Sequence, residues 1–399
     1  MHIGINAQLL SFSQNYRNGG ISRYIRYLLT ELAKRPGQHE YTIFVNGQEV
    51  IERLREIVGK DEGVQRAQIT YIPVSWPESK PISRVAWEQL MLPSLVRQRR
   101  IDVLHSPANV LPEMLPRRCA GVVTLHDLAF LRFPQVLTRS KRVYHNTFTM
   151  RSLRRARMII ANSNSTKQDA IELARIPAGR IQTVYLCIDE RFSNVIHDED
   201  RESFRQAHGL TGGYMLYLGT LEPRKNITRL IEAYARLRTA YGRGEKLVLA
   251  GGKGWLYDSI FAKVQKLGLE SEVIFTGFVS DAEQVLWYHA ASVFVYPSLY
   301  EGFGIPVAEA LACGVPVVTS NISSLPEAGA TLALTVDPTD TEAMAEAIYK
   351  ALTDEAVRER CRSHASSVAQ RFSAQTMVEQ TIAVYEQAAA LQASQRHST

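Results

Sequence analysis

Short apolar runs alternate with helical patterns along most of this 399-residue chain, and this alternation constrains the fold more than any other feature. In the first half, the apolar runs lie at 41–45, 103–105, 122–126, 158–162 and 181–185. A charged stretch follows Asp189, after which the alternation resumes with runs at 214–219, 246–252, 273–277, 293–297 and 315–319. Apolar strands that alternate with helices are typical of parallel sheets covered on both faces. The sequence therefore predicts an α/β chain with two successive doubly wound units.

The charged stretch marks a domain boundary near residue 192, and the length suits roughly two or three domains. We expect a first Rossmann-like domain at 1–192 and a second at 193–375. Helical spacing at 376–391 predicts a last helix, within 376–399, that packs back on the first domain and frays from Ser394. In facing doubly wound sheets, ligands bind at the carboxyl ends of the strands, so we expect an interdomain cleft to hold the site.

Composition excludes several classes of protein. With 45% apolar and 22% charged residues, the chain has a globular composition. Its four cysteines lack CxxC or CxxxC spacing, which argues against a zinc site or a disulfide framework and suits a reducing compartment. No signal-peptide pattern opens the sequence and no apolar run reaches 18 residues, so we expect a cytoplasmic protein.

Positive charge is concentrated in the first half of the chain. Residues 1–192 hold 28 lysines and arginines against 16 acidic residues, whereas residues 193–399 hold 18 against 24. Apolar side chains interleave with a basic cluster at Arg139, Lys141, Arg142, Arg151, Arg154, Arg155 and Arg157. The cluster predicts an amphipathic helix that contacts anionic lipid at the inner face of the cell membrane, a solvated helix packed on the domain, or a helix that does both. Since no nucleic-acid-binding motif accompanies it, we expect no nucleic-acid partner.

The run 301–309, Glu-Gly-Phe-Gly-Ile-Pro-Val-Ala-Glu, places a glycine-rich turn before a helix and a carboxylate at each end. Gly302 and Gly304 permit a sharp turn, and the helix N-terminus offers N–H groups and a positive dipole end to a phosphate. Glu301 lies at the mouth of this loop. Glu309 lies about two helical turns later, where it can accept hydrogen bonds from both hydroxyls of a diol such as a ribose. Alternatively, both are ordinary solvated acids.

Several other glycine-containing loops follow predicted strands or precede predicted helices. Glycine lets the backbone approach a ligand closely, and an apolar side chain beside it can lie against a planar base. Each loop taken alone is equally compatible with an ordinary strand-to-helix turn. The candidate ligand-binding residues in all of these loops are Gly19, Gly20, Gly219, Gly251, Phe278, Val279, Gly302, Phe303, Gly304 and Ile305.

Charged and titratable residues also follow predicted strands. Arg224 and Lys225 come directly before a helix, where cations oppose the helix dipole, so their position suggests a diphosphate nearby. Glu222 can pair with them, which weakens that inference. His126 ends the strand at 122–126, where it can bond to a sugar hydroxyl, stabilise charge or serve a structural role.

Together these motifs resemble those of the retaining glycosyltransferases of family 4. The resemblance runs from Met1 to about Tyr385, and its most specific parts are 221–226, 296–310 and 314–318. It implies the GT-B architecture, in which two Rossmann-like domains face each other. In such enzymes the second domain holds a nucleotide-diphosphate sugar and the first binds the acceptor.

The resemblance also implies a role for each candidate. Glu309 would hold the ribose hydroxyls, Arg224 and Lys225 the diphosphate, Glu301 the transferred sugar, and His126 a hydroxyl of that sugar near the reaction centre. These last four residues are the catalytic candidates.

The first domain would add a glycine pair to this site, with Gly19 and Gly20 approaching the phosphates from the other side. The resemblance implies neither a metal nor a cofactor. Asp198 and Asp200 have the spacing of an Asp-x-Asp motif, but they lie in the presumed linker, where a solvated charge run explains them better.

The segments 19–24 and 221–226 are similar to those of mannosyltransferases that build cell-surface polysaccharides, which favours GDP-mannose and a lipid-linked or oligosaccharide acceptor. UDP-glucose is the alternative sugar donor. A sugar-nucleotide 2-epimerase and a non-catalytic nucleotide-sugar-binding protein are the alternative functions. Conversion of the sugar without an acceptor would indicate the epimerase, and binding without turnover would indicate the non-catalytic protein.

Overall fold

The computed structural model describes residues 1–13, 19–35, 37, 39–59, 67–74, 81–133, 145–252, 254 and 256–397. The chain forms two compact units. The first unit comprises Met1–Cys187 together with Ala374–Thr399, and the second comprises Ile188–Ser373. The chain thus passes into the second unit five residues before the predicted boundary at 192.

Within the described residues, the first unit contains a seven-stranded parallel sheet. Its strands are β1 (His2–Asn6), β2 (Glu40–Asn46), β3 (Gln68–Val74), β4 (Val103–Ser106), β5 (Ala120–Leu125), β6 (Met158–Ala161) and β7 (Ile181–Thr183). Its helices before the second unit are α1 (Gly20–Ala33), α2 (Gln48–Gly59), α3 (Pro81–Leu90), α4 (Leu92–Gln98), α5 (Ala129–Arg132), α6 (Met150–Arg155) and α7 (Asn164–Glu172).

Over its described residues, the second unit is built around a six-stranded parallel sheet. Its strands are β8 (Tyr214–Leu218), β9 (Lys246–Ala250), β10 (Val273–Gly277), β11 (Val293–Tyr296), β12 (Val317–Ser320) and β13 (Leu334–Val336). Its helices are α8 (Asp198–Ala207), α9 (Ile227–Tyr241), α10 (Asp258–Lys266), α11 (Asp281–His289), α12 (Ile305–Ala312), α13 (Leu325–Ala328), α14 (Thr341–Thr353) and α15 (Glu355–Arg371).

The two sheets share one winding pattern. Their strand orders are β3-β2-β1-β4-β5-β6-β7 and β10-β9-β8-β11-β12-β13. In each sheet the winding reverses between the first and the fourth strand, so β1 pairs with β4 and β8 pairs with β11. Ligands of open parallel sheets bind outside the carboxyl ends of the strands at such a switch point. The loops after β1, β4, β8 and β11 are therefore the natural ligand-binding positions of the two units.

The predicted α/β class with two parallel sheets is confirmed. The apolar runs named above all contribute to strands, and most of these strands are buried along their whole length. Two edge strands lie outside those runs: β3 is only partly buried and β13 spans three residues. An edge strand has a neighbouring strand on one side only, so fewer of its side chains are covered. The sequences of β3 and β13 therefore show a weaker apolar pattern.

The charged stretch that the sequence suggests as a linker is helical instead. Residues 198–207 form α8, whose first turn carries Asp198, Glu199 and Asp200. Carboxylates at this end stabilise the helix because they face the positive end of its dipole. This role gives the two aspartates a structural explanation.

The last helix, α16 (Ala374–His397), belongs to the first unit. Its buried side chains include Val384, Tyr385 and Ala388. On its surface Glu379 accepts a hydrogen bond from Arg35 at 2.9 Å. The helix extends to His397, beyond Ser394, where the sequence predicts fraying to begin.

The predicted basic amphipathic helix is described only in part, since Arg139, Lys141 and Arg142 lie outside the described residues. The remainder forms a π-helical turn at His145–Thr149 followed by α6. In α6, Ser152 and Leu153 are buried, whereas Arg151, Arg154 and Arg155 are exposed. This helix therefore packs an apolar side on the first unit and presents a basic side outward. No helix in the described part of the chain is long and apolar enough to cross a membrane.

Two glycines bring the loops after β8 and β9 into close contact. Gly251 has a φ of +143°, and a Cβ atom at this position would lie 2.1 Å from the carbonyl oxygen of Gly219. The N–H of Gly219 donates to the Ala250 carbonyl at 2.9 Å, and the N–H of Gly251 donates to the Gly277 carbonyl at 2.8 Å. The three loops at this edge of the sheet thus depend on the absence of a side chain at residue 251.

We expect Gly251→Ala to destabilise the second unit by about 2 kcal/mol or more, because the new methyl group meets backbone atoms that have little freedom to move. Gly252→Ala is the matched control, since a Cβ atom there has nothing within 4 Å. Urea unfolding followed by circular dichroism measures both. Equal midpoints for the two variants would contradict the close approach.

Candidate active site

The loop after β8 carries both predicted cations on a short 3-10 helix, Pro223–Lys225. Asn226 then adopts a left-handed conformation with a φ of +60°, and α9 begins at Ile227. The side-chain amide of Asn226 donates to the carbonyls of Pro297 and Pro338 at 3.1 and 2.7 Å. These bonds fasten the loop after β8 to the segments that follow β11 and β13.

Glu301 lies in the loop after β11 and contacts both predicted cations. The Nζ atom of Lys225 is 2.6 Å from Oε1 of Glu301, and Nη1 of Arg224 is 3.1 Å from Oε2. Arg224 also donates to the carbonyl of Tyr300. The structure therefore brings together three of the four catalytic candidates at the switch point between β8 and β11.

This cluster contains two further partners. Arg224 also lies 2.9 Å from Glu222, so it contacts two carboxylates, whereas Lys225 contacts one. Lys225 donates to the hydroxyl of Tyr296 at 2.6 Å, and that hydroxyl donates to Glu301 at 3.2 Å. Within the described residues this leaves Lys225 with one of its three N–H donors unused. That donor is suited to a phosphate oxygen.

The environment of Glu301 keeps its carboxyl group ionised. Burial alone would raise the pKa of Glu301, but the adjacent Lys225 and Arg224 lower it to about 2. Glu301 is 9% exposed. A buried carboxylate of this kind can stabilise positive charge that develops on a sugar, and it holds both cations in place.

The glycine-rich turn after Glu301 is fixed from two sides. Gly304 has a φ of +97°, and a Cβ atom there would lie 2.7 Å from Leu325. The Glu301 N–H donates to the Ser323 hydroxyl at 3.1 Å, and the Ser324 hydroxyl donates to the Glu301 carbonyl at 2.9 Å. The sharp turn predicted from Gly304 is therefore present, and it delivers the chain to the start of α12.

The other candidates around this turn differ in exposure. Phe303 is buried and packs edge-on against Phe372, with ring centroids 5.3 Å apart. Ile305 is half-buried at the first position of α12. Gly302 is buried. Phe303 thus supports the turn from the core, a structural role that the sequence does not distinguish from ligand contact.

Glu309 lies in α12 and is buried, so it is not the solvated surface acid of the alternative interpretation. Its Oε2 atom accepts a hydrogen bond from the Tyr288 hydroxyl at 2.9 Å. Burial, reinforced by the negative charge of Glu309, raises the pKa of Tyr288 well above its ordinary value, so the phenol keeps its proton and remains a donor. The binding of ribose by Glu309 stays a prediction, and Tyr288 is a partner that the sequence did not suggest.

Phe278 and Val279, at the end of β10, face different surroundings. Phe278 is 61% exposed, whereas Val279 is buried. An exposed phenyl ring beside a switch-point loop is available to a planar base, so contact between Phe278 and a base stays a prediction. Val279 contributes to the core.

In the first unit, the predicted glycine pair is exposed at the start of α1. Gly19 is the N-cap residue and its carbonyl accepts from the Arg23 N–H at 3.0 Å. Ser22 lies inside α1, and its hydroxyl donates to the Ser11 carbonyl at 2.9 Å. The pair leaves the N-terminus of α1 open to solvent, as a phosphate contact requires.

The ring of His126, just after β5, has a fixed hydrogen-bond partner. Its Nε2 atom lies 2.7 Å from the Pro107 carbonyl, which can only accept, so Nε2 carries a proton. Burial lowers the pKa of His126, although this carbonyl bond opposes the shift, so the ring is neutral at pH 7. Nδ1 has no hydrogen-bond partner among the described residues. A neutral ring of this tautomer can accept a hydrogen bond from a sugar hydroxyl at Nδ1.

A chain of buried hydrogen bonds begins at Tyr24, whose ring contacts His126. The ring of Tyr24 packs edge-on against His126 with centroids 5.4 Å apart, and its hydroxyl lies 3.0 Å from that of Thr124. Thr124 lies 2.8 Å from Nε2 of His105, whose Nδ1 lies 2.7 Å from the Tyr385 hydroxyl. Burial, together with His126, lowers the pKa of His105 to about 3, so the chain is uncharged. These bonds connect Tyr385 of α16 with Tyr24, whose ring packs against His126.

Comparison with known proteins shows the family to which this chain belongs. Residues 198–368 match glycosyl transferases group 1, and residues 18–192 match Glycosyltransferase Family 4. O-antigen chain mannosyltransferase B of Escherichia coli is 31% identical over 371 residues, which cover 92% of this chain and 96% of that protein. The chain belongs to the group 1 glycosyltransferases. The predicted family is therefore confirmed, and with it the activity of a glycosyltransferase.

A further relative is also named as a mannosyltransferase, and two solved structures share the fold. Serotype-specific mannosyltransferase WbdA of Escherichia coli is 27% identical over 397 residues, and the match spans 94% of this chain but only 46% of WbdA. HepE of Anabaena in complex with UDP and glucose has a TM-score of 0.69 at 18% identity, covering 97% of this chain and 100% of HepE. WaaG, a glycosyltransferase involved in lipopolysaccharide biosynthesis, also has a TM-score of 0.69, at 20% identity, covering 96% of this chain and 99% of WaaG. These structures confirm the GT-B fold.

The described part of this glycosyltransferase contains no group of three or more His, Cys, Asp or Glu residues placed to hold a metal ion. Its charged cluster is built instead from two cations and two carboxylates, Arg224, Lys225, Glu222 and Glu301.

We expect Glu301→Gln to lower the stability of the glycosyltransferase in a pH-dependent way. The pKa of Glu301 is about 2 in the folded protein, below its ordinary value of 4.5, so its ionised form stabilises the fold above about pH 4.5. The difference in unfolding free energy between wild type and variant should reach a few kcal/mol near neutral pH and shrink as the pH falls toward 2.

Denaturant unfolding between about pH 6 and pH 3 measures this difference. Glu270→Gln, at an exposed position before β10, is the matched control and should differ little from wild type throughout. A Glu301→Gln effect that stays constant over this pH range would argue against the ion pair.

Proposed function

We propose that this glycosyltransferase is a retaining hexosyltransferase that moves mannose from GDP-mannose to a glycan acceptor during cell-surface polysaccharide synthesis. The cluster of Arg224, Lys225 and Glu301 at the switch point of the second unit carries the proposal. The names of the relatives support mannose, since both O-antigen chain mannosyltransferase B and WbdA are mannosyltransferases.

In the proposed reaction, the bond between the anomeric carbon and the diphosphate oxygen breaks, and the acceptor hydroxyl forms a new bond to that carbon on the same face. The acceptor proton passes to the leaving phosphate oxygen, so no protein base is required. Lys225 and Arg224 stabilise the charge that grows on the diphosphate, which is the largest electrostatic demand of the step. Glu301 stabilises the positive charge of the sugar.

The remaining candidates position the substrates. Glu309, with Tyr288 beside it, binds the ribose hydroxyls, and Phe278 lies against the base. Gly19 and Gly20 offer the N-terminus of α1 to the phosphates. His126 accepts a hydroxyl of the transferred sugar at Nδ1, the ring nitrogen not used by Pro107. The first unit binds the acceptor.

The test is transfer to a mannose-terminated oligosaccharide from GDP-mannose or UDP-glucose, with EDTA present, followed by mass spectrometry and by NMR of the new anomeric centre. We expect mannose transfer with retained configuration. UDP-glucose is the second candidate because HepE, which shares the fold, has been solved with UDP-glucose. Transfer from UDP-glucose alone would replace the proposed sugar donor, and an inverted product would contradict retention.

We expect Lys225→Met to lower kcat/KM for the sugar donor by about 100-fold or more, since it removes the buried cation that faces Glu301. Lys350→Met, at an exposed position of α14, is the matched control and should leave kcat/KM unchanged. Steady-state kinetics with varied sugar donor give both values. Near-wild-type turnover of Lys225→Met would remove Lys225 from the proposed mechanism.

We further propose that the first unit contacts an anionic membrane, where a lipid-linked acceptor would be presented. Leu90, Met91 and Met114 are 71%, 55% and 72% exposed. They belong to one surface, because the Gln89 side chain donates to the Leu111 carbonyl at 3.3 Å and accepts from the Glu113 N–H at 2.8 Å.

Arginines border this apolar surface. Arg155 lies 2.9 Å and Arg151 lies 3.9 Å from Glu113, the residue next to Met114. Exposed apolar side chains beside arginines suit an anionic bilayer, where the apolar groups enter the interface and the cations contact headgroups.

Replacing Leu90, Met91 and Met114 together by serine should weaken sedimentation with phosphatidylglycerol vesicles about tenfold, because the buried apolar area is lost. Val195→Ser, at an exposed apolar position of the second unit, is the control and should bind like wild type. Binding of wild type to phosphatidylcholine vesicles as strong as to phosphatidylglycerol would contradict the role of the arginines.

A further inference from the structure

Four polar atoms without partners cluster near the switch point of the first unit. Oδ1 of Asn6, Oγ of Ser106 and both amide atoms of Gln8 are buried and make no hydrogen bond within the described residues. Asn6 ends β1, Gln8 follows it two residues later, and Ser106 ends β4. Buried polar groups nearly always have a partner, so several unpaired atoms in one place call for an explanation.

The register of the sheet places two of these side chains together. Ile5 of β1 pairs with His105 of β4, so the next residues, Asn6 and Ser106, are neighbours on the same face of the sheet. This is the opposite face from His105 and its hydrogen-bonded chain. The unpaired atoms therefore form a group distinct from the support of His126.

A buried ion pair adjoins the group. The amide nitrogen of Asn6 donates to Oε1 of Glu88 at 3.2 Å, and Arg84 donates to both carboxylate oxygens of Glu88 at 2.8 and 3.0 Å. Arg84 thus neutralises the carboxylate, and the rest of the group consists of amides and a hydroxyl. Neutral donors and acceptors of this kind match the hydroxyls of an uncharged sugar better than a phosphate.

We propose that Asn6, Gln8 and Ser106 form the subsite that binds the terminal sugar of the glycan acceptor. This inference rests on the proposed function, because it takes the first unit to be the acceptor-binding one. The sugar hydroxyls supply the missing partners of the amide and hydroxyl groups. All four atoms are buried in this structure, so contact requires Asn6, Gln8 and Ser106 to change rotamer, which the rotatable bonds of each side chain allow.

Gln8→Met tests this subsite, since it keeps the length of the side chain and removes both unpaired amide atoms. The probe is α-linked mannobiose, observed by saturation-transfer NMR with the full-length protein and no sugar donor. We expect the variant to bind mannobiose at least tenfold more weakly than wild type. Its melting temperature should be equal to or above that of wild type, because no hydrogen bond within the described residues is lost.

Gln48→Met is the matched control, at an exposed position of α2, and should bind mannobiose like wild type. Ser106→Ala should weaken binding in the same direction as Gln8→Met, again without loss of melting temperature. In the transfer assay, Gln8→Met should raise KM for the acceptor about tenfold and leave KM for the sugar donor within twofold.

Three results would each overturn the subsite. The first is that Gln8→Met binds mannobiose as tightly as wild type, and the second is that wild type does not bind mannobiose. The third is a lower melting temperature with equal loss of acceptor and sugar-donor binding, as a purely structural role would give. Failure of mannose transfer from GDP-mannose, with glycan binding still lost in Gln8→Met, would reject the proposed function and leave the sugar subsite in place.

Discussion

The ion pair between Lys225 and Glu301 ties together the two loops on which the site of the second unit depends. Removing two charges from water is costly, and their attraction offsets that cost only when additional hydrogen bonds complete the geometry. Here the Tyr296 hydroxyl bonds to both partners, and Arg224 occupies the second oxygen of Glu301. Such a pair adds little net stability compared with an apolar contact, and its main effect is to hold the loop after β8 against the loop after β11.

The two units share one strand order but carry different chemistry at their switch points. In the second unit, four charged groups surround the carboxyl ends of β8 and β11. In the first, amides and a hydroxyl lie beside a neutralised carboxylate at the ends of β1 and β4. The same backbone thus supports a charged cluster, which we propose for a diphosphate, and a neutral polar group, which we propose for sugar hydroxyls. Fold alone does not decide this difference; the side chains at the strand ends do.

Much of the fold and part of the site were predictable from sequence. Buried parallel strands leave long apolar runs, and the charged residues that follow them are local in sequence, so Arg224, Lys225 and Glu301 could be recognised. Tyr296 and Tyr288 could not be assigned as partners, because strand and helix residues of this type usually fill the core. Gln8 and Ser106 carried no pattern at all, since a single polar residue after a strand is common.

The sequence by itself determined the α/β class, the two successive sheets, the sharp turn at Gly304 and the family, because these depend on local periodicity and on contiguous motifs. Only the tertiary structure decided that Lys225 meets Glu301 across 76 positions of the chain, that Phe303 faces the core and that Nε2 of His126 is taken by Pro107. Those outcomes depend on which strand ends lie side by side and on which atoms remain without a partner. Both are consequences of long-range packing, which no local pattern of residues records.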